Sequence, residues 1–188
     1  MISVDEKPGV QAIERSRGYV RVDSGKVVNG FKSTYKRNGT INLFAALNVM
    51  TGIVNSKTTR TKKRPDFLMF MDELLLELPE RNQKVKEIHV MLDNYCTHKR
   101  CDEWLSKHPN VKFHYTPTSA SWLNMVEVFF SILSRETLRG SSFRGTDALS
   151  EAITAFVNEH NKKGKPFIWK KRDVKGSRLR NTIGNLIN

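Results

Sequence analysis

His89-Val90-Met91-Leu92-Asp93-Asn94 is a short apolar run ending on a carboxylate, and Ser119-Ala120-Ser121-Trp122-Leu123-Asn124-Met125-Val126-Glu127 is the entry and first turns of a helix carrying another. The first reads as a strand apolar enough to be central in a sheet. A carboxylate at the end of such a strand is a common place for ligand chemistry; the plainer reading is an Asp-Asn turn that caps the next segment. In the helix, Leu123, Met125, Val126, Val128, Phe129, Phe130, Ile132 and Leu133 leave only Asn124, Glu127 and Ser131 polar. Their spacing of three and four makes one narrow stripe. That stripe either faces solvent on an amphipathic helix or lines a polar site on a buried one.

Working outward, Ile2-Ser3-Val4-Asp5-Glu6 alternates apolar and polar and reads as a strand that Pro8-Gly9 turns. Residues 14–38 are polar, basic and Gly-containing, with Tyr19, Val20 and Val22 a candidate short strand. Ile41 to Asn48 is a strand, and Thr51-Gly52 turns the chain into a hairpin partner at Ile53–Lys57. A basic loop, Arg60 to Arg64, precedes Pro65 at the front of a helix. There Phe67, Leu68, Met71, Leu74, Leu75 and Leu78 recur at helical spacing until Pro79. A short helix over 100–108, a strand over Val111–Tyr115, the Glu127 helix to about Leu138, stopped by Gly140, and a last helix capped by Thr146 or Asp147 complete the order. Strands in a hairpin, then strands alternating with helices, predict an α/β fold: a mixed five-stranded sheet flanked by helices.

Thirty-two Lys and Arg against 19 Asp and Glu give the 188 residues a net charge of +13. Such an excess favours polyanions, nucleic acid foremost. It clusters: nine basic residues and the single acid Asp173 lie between Lys162 and Arg180. No apolar run reaches the ~18 residues of a membrane span, and the N-terminus has no signal-peptide pattern. Two cysteines, Cys96 and Cys101, fit a reducing cytoplasm. The Gly-x-Ser-x-Gly elbow of serine hydrolases and the phosphate-binding loop ending in Gly-Lys-Ser/Thr are both missing from the sequence.

Asp5, Asp93 and Glu127 are three carboxylates from two strands and a helix in a lysine-rich chain. Oxygen ligands without thiolates or imidazoles favour Mg²⁺ or Mn²⁺, and a pair of such ions clamps both oxygens of a phosphodiester displacement. Cys96, His98, Cys101 and His114 could instead assemble a zinc site, but Cys-x-His-x₂-Cys is irregular for a finger. A satisfied histidine and buried thiols are the plainer reading. Trp104, Trp122 and Trp169 are either core and lid residues or base-stacking platforms.

Several segments resemble one family. They are Val4-Asp5-Glu6-Lys7; Tyr35 to Thr40 leading into Leu43 to Leu47; Leu92-Asp93-Asn94-Tyr95 with Thr97-His98-Lys99; Tyr115 to Asn124 and on to Glu127; and Phe156-Asn158-His160-Asn161 with Pro166-Phe167-Trp169. The chain resembles the catalytic domain of DDE transposases, in the bacterial insertion-sequence branch of the mariner superfamily. The Asp93 and Glu127 blocks, with 33 residues between the two acids, carry most of that resemblance.

The resemblance implies a ribonuclease-H-like fold over residues 1–170 with a basic tail at 171–188. It implies Asp5, Asp93 and Glu127 as the catalytic triad holding two Mg²⁺, Mn²⁺ being able to substitute. The implied reaction is cut-and-paste transposition: hydrolytic cleavage at the element's ends, then attack of the freed 3′-hydroxyl on target DNA. Asn94 and Asn124 are expected to orient the metal ligands or touch DNA, His98 and Lys99 to touch phosphate, and Lys170, Lys171 and Arg172 to hold the backbone of double-stranded DNA. A homodimer in the synaptic complex, no membrane contact and a cytoplasmic, nucleoid-associated location follow in the same way. Transposases of this kind place helix-turn-helix modules ahead of the catalytic domain. Nothing precedes the first strand here, so the chain reads as an excised domain or a truncated gene. The alternatives are a non-catalytic DNA-binding remnant and a ribonuclease-H-like nuclease.

Overall fold

The computed structural model describes residues 1–21, 27–81, 87–117 and 124–166. Five strands form one sheet in the order β3-β2-β1-β4-β5. They are β1 (Ile2–Arg21), β2 (Val27–Asn48), β3 (Val54–Thr59), β4 (Ile88–Leu92) and β5 (Val111–Tyr115). β1, β2 and β3 pair antiparallel, whereas β4 runs parallel to both β1 and β5. The helices are α1 (Arg64–Arg81), α2 (Asp102–Lys107), α3 (Val126–Leu133) and α4 (Thr146–Lys162). The order of the strands and α-helices agrees with the pattern in the sequence, and the sheet is mixed and five-stranded as predicted.

Strand alternation builds two apolar layers. Ile2, Val4, Phe44, Ala46, Val90 and Leu92 meet Phe67, Phe70, Met71 and Leu74 of α1 and Trp104 of α2 on one face. Leu43, Ala45 and Leu47 meet Val126, Phe129, Phe130 and Leu133 of α3 and Leu149, Ile153 and Val157 of α4 on the other. Side chains at odd positions of early β1 therefore face α3, and those at even positions face α1. Trp104 is buried, its indole N–H donating to Asp72 at 2.6 Å, which places it in the core. Trp122 and Trp169 lie outside the described residues.

Several boundaries differ from the expectation. Pro8-Gly9 does not turn the chain. Lys7 pairs with Leu43 and Val10 with Ile41, so one extra residue is bulged out of β1 and the strand continues. Gly9 takes the positive φ of 61° there, and Pro8, with no N–H to give the ladder, sits where none is needed. Residues 14–21 and 27–38 accordingly form the outer, antiparallel part of β1 and β2 rather than a loop. Helix α1 passes Pro79 and ends at Arg81, because a proline in the last turn removes only one backbone donor. The cap of α4 falls one residue early, on Gly145.

Gly52 closes the β2–β3 turn at φ +74°, and a methyl group built on it would lie 2.0 Å from the Lys165 carbonyl oxygen. Gly52→Ala is therefore expected to destabilise by at least about 2 kcal/mol, from left-handed strain plus displacement of the Lys165 backbone. Denaturant unfolding with an unchanged slope checks it.

Candidate metal and nucleic-acid site

The parallel register sets the site. Ile2 pairs with Val90 and Ser3 with Met91, so Asp5 and Asp93 stand side by side just past the paired ends of the two central strands. Asp5 is only 6% exposed. Its Oδ1 accepts the Glu6 N–H at 2.7 Å and its Oδ2 accepts from Asn124 Nδ2 at 3.2 Å. Burial pushes its pKa up to about 7, against the Glu6 hydrogen bond, and the charges of Asp93, Glu127 and Glu6 push the same way. Burial and the three neighbouring carboxyls thus both disfavour its charged form.

Asn124 connects strand to helix. It is fully enclosed. Its Nδ2 also donates to the Val4 carbonyl at 3.0 Å, and its Oδ1 accepts from Ser3 Oγ, which in turn accepts the Val126 N–H at 3.1 Å. The Asn124 carbonyl accepts the Glu127 N–H at 3.1 Å. One residue thus fixes Asp5 and the start of α3 together. Of the two roles expected for Asn124, orienting a carboxylate is the one its burial allows. The polar stripe divides accordingly: Asn124 turns into the sheet, while Glu127 and Ser131 are exposed and line an open cleft beside α3.

Asp93 is half-buried and turned toward His98. Its Oδ1 accepts the Tyr95 N–H at 2.9 Å and contacts His98 Nδ1 at 2.8 Å. Burial opposes its ionisation, but the hydrogen bonds from His98 and Tyr95, with the charges of His98 and Lys62, outweigh it and hold the carboxyl below the usual range. The His98 ring has no exposed surface, and its Nε2 lies 3.1 Å from Glu6, itself only 9% exposed. Burial alone would lower the imidazole pKa, yet bonds to Asp93 and Glu6 raise it to about 9. His98 is therefore an imidazolium clamped between two carboxylates. With both nitrogens occupied and no surface, it has no route to a DNA phosphate, so the expected phosphate contact gives way to a positioning role. The sequence hides this link: Glu6 and His98 are 92 positions apart. The one signal is the Asp5-Glu6 pair, which strand alternation must send to opposite faces.

Asn94 is exposed, and its Nδ2 donates to the Thr116 carbonyl. Lys99 is exposed as well. Lys170, Lys171 and Arg172 lie outside the described residues. The zinc reading does not assemble: Cys96 is exposed, Cys101 is buried, His98 is spent on carboxylates, and His114 stands 2.9 Å from His89. Among the described residues no three His, Cys, Asp or Glu side chains close round a point as a finished metal cage would. That includes the triad in this arrangement, with Asp93 on His98 and Glu127 lining the cleft.

The sheet order, with its parallel switch beside β1 and helices on both faces, defines a ribonuclease-H-like fold. A family profile described as DDE superfamily endonuclease matches residues 1–150, and the chain belongs to that family. Three solved structures are similar to it. A Mos1 transposase paired-end complex with left transposon end aligns with TM-score 0.63 at 14% identity, over 86% of this chain and 50% of that one. A Mos1 mariner paired-end complex with Mn gives 0.58 at 14%, over 86% and 52%. A pre-cleavage Mos1 transpososome gives 0.54 at 16%, over 89% and 56%. At such identities the likeness is one of fold, and the chain spans about half the length of those proteins. No protein of curated function matches the sequence.

Proposed function

We propose that the chain is the catalytic domain of a transposase, cutting DNA strands with divalent metal and joining the freed 3′-hydroxyl to target DNA. One observation carries the reading: adjacent parallel strands set Asp5 and Asp93 side by side, and burial together with the charges of Asp93, Glu127 and Glu6 raises the Asp5 pKa to about 7. The donor set is all oxygen, which suits Mg²⁺ or Mn²⁺. Asp5, Asp93 and Glu127 would hold the ions, which when bound supply charge neutralisation at phosphorus and a more acidic water or hydroxyl. Asn124 orients Asp5 and the first turn of α3. Glu6 and His98 orient Asp93. Membership of the DDE family and the likeness to transposase–DNA complexes support DNA as substrate and a pair of protomers holding two DNA ends. We assign residues 1–170 to this domain and 171–188 to a basic tail, with Lys170, Lys171 and Arg172 on the DNA backbone, acting on DNA in the cytoplasm. No described helix is long and apolar enough to cross a membrane.

The test is nicking of supercoiled plasmid with Mg²⁺ or Mn²⁺. Asp93→Asn is expected to lower the rate by at least about a thousandfold, the loss of several kcal/mol of charge stabilisation, while DNA affinity stays near that of the parent. Equal nicking by parent and variant removes Asp93 from the site. DNA binding with no nicking by the parent makes the chain a non-catalytic remnant, and hydrolysis with no joined product makes it a plain nuclease.

A further inference from the structure

Beside Glu127 lies an open cleft of about 420 Å³ lined by Lys7, Phe130, Ser131, Ser134, Arg135 and Arg139 as well as Glu127 itself. Three cations face one carboxylate there. Lys7 reaches the cleft because it shares the odd-numbered face of β1 with Asp5, and its Nζ lies 5.9 Å from the Phe130 ring. The serine hydroxyl protons are directed at helix carbonyls, Ser131 to Glu127 at 3.0 Å and Ser134 to Phe130 at 2.7 Å. Binding in the cleft is thus left to the cations. Arg135 contacts Glu136 at 2.9 Å in an exposed pair. Such a pair is worth about 0–1 kcal/mol and yields readily to a phosphate.

The backbone explains how Arg139 comes to be there. In a regular α-helix Arg139, twelve positions after Glu127, would point about 120° away from it. From Ser134 to Leu138, however, the helix is a π turn, sealed by the Arg139 N–H donating to the Ser134 carbonyl at 2.8 Å, an i→i+5 bond. A π turn advances fewer degrees per residue, so it swings Arg139 back toward the Glu127 side, where the two line one cleft. An inserted turn that lines up an arginine with a carboxylate of the site indicates a ligand that spans both.

We propose that this cleft seats the phosphodiester backbone of the DNA strand leading to the carboxylates, with Arg135 and Arg139 as phosphate ligands and the π turn as the element that aims them. The proposal names the substrate track of the site and rests on the DNA-processing reading above. The bidentate geometry of guanidinium suits phosphate oxygens, and each phosphate so neutralised steepens the salt dependence of binding by about 0.9.

The experiment titrates a short fluorescent DNA duplex of arbitrary sequence with the full chain across a salt series. In Arg135→Ala/Arg139→Ala the slope of log affinity against log salt is expected to fall by nearly 2, with low-salt affinity about tenfold weaker. Lys107→Ala/Lys112→Ala removes two charges from α2 and β5, outside the cleft, and is expected to lose less than half as much. Deleting Thr137 returns the π turn to α-helix and keeps every charge. Arg139 then stands eleven positions after Glu127, about 20° from it on a regular α-helix, so a folded deletion variant is expected to keep the parental slope. A parental slope in the double alanine variant, or an equal loss in the control pair, overturns the proposal. A folded Thr137 deletion that loses a slope of about 0.9 overturns the part given to the π turn, and if that variant fails to fold, the alanine pair decides. Plasmid nicking by the parent with a parental slope in the double variant discards the cleft and keeps the cleavage reading. The reverse pair of results does the opposite.

Discussion

Asp5→Asn is expected to silence metal-dependent cleavage and yet to raise the melting temperature of the metal-free protein at pH 8. The carboxyl is buried, and its pKa rises from 3.8 to about 7 on folding. Between those values the folded chain keeps a proton that the unfolded chain has released, so stability declines as pH rises through the window and stays low above it. A rise of that size costs the folded state roughly 4 kcal/mol at most once the pH is above the window. The replacement amide keeps the oxygen that accepts the Glu6 N–H and loses only the acceptor shared with Asn124. The gain should therefore appear at pH 8 and vanish near pH 4. Mg²⁺ should stabilise the parent at pH 8 and leave the variant unmoved. Calorimetric melting at both pH values, with and without metal, checks this, and a variant that melts lower than the parent at pH 8 refutes it.

His98→Ala is expected to cost about 3–5 kcal/mol at pH 7, because it leaves Glu6 and Asp93 facing one another without the buried cation between them. The pH profile identifies the group. A histidine raised from 6.5 to about 9 contributes stability that is complete below 6.5 and disappears as pH climbs through 9. The parent should show that alkaline decline, and Asp5→Asn should retain it while losing the decline between 4 and 7. In His98→Ala the alkaline limb should be absent. Asp93 acts in the opposite direction: its carboxyl is held low, so its contribution is present above 3.8 and lost only in acid. Urea unfolding at intervals from pH 3 to 10 separates the limbs.

The sequence carried the element order because each helix and each inner strand buries one face, and burial writes a period into the residues. Asp93 was legible for the same reason: Val90 and Leu92 mark β4 as central, and the polar residue that follows must stand at its end. The hairpin arm was not legible. Its pairing is made by backbone groups, its residues from 14 to 38 carry a strand signal only at Tyr19, Val20 and Val22, and Pro8-Gly9 has the same composition in a bulge as in a turn. The π turn was hidden too, since Ser134-Arg135-Glu136-Thr137-Leu138 is ordinary helix-forming sequence. Asn124 and Glu127 were seen as one stripe, but only the packing against Ser3 and Val4 divides them into an inner and an outer role.

The Pro8–Gly9 bulge also bears on how this protein can vary. Before it, odd residues of β1 face α3; after it, Val10 and Ala12 join the same layer from even positions. Parity is reset between the acids and the arm. Matched lengthening or shortening of the two arm strands farther out therefore leaves Asp5 and Glu6 at their posts, so the hairpin behaves as an outrigger whose boom can change length without shifting the hull.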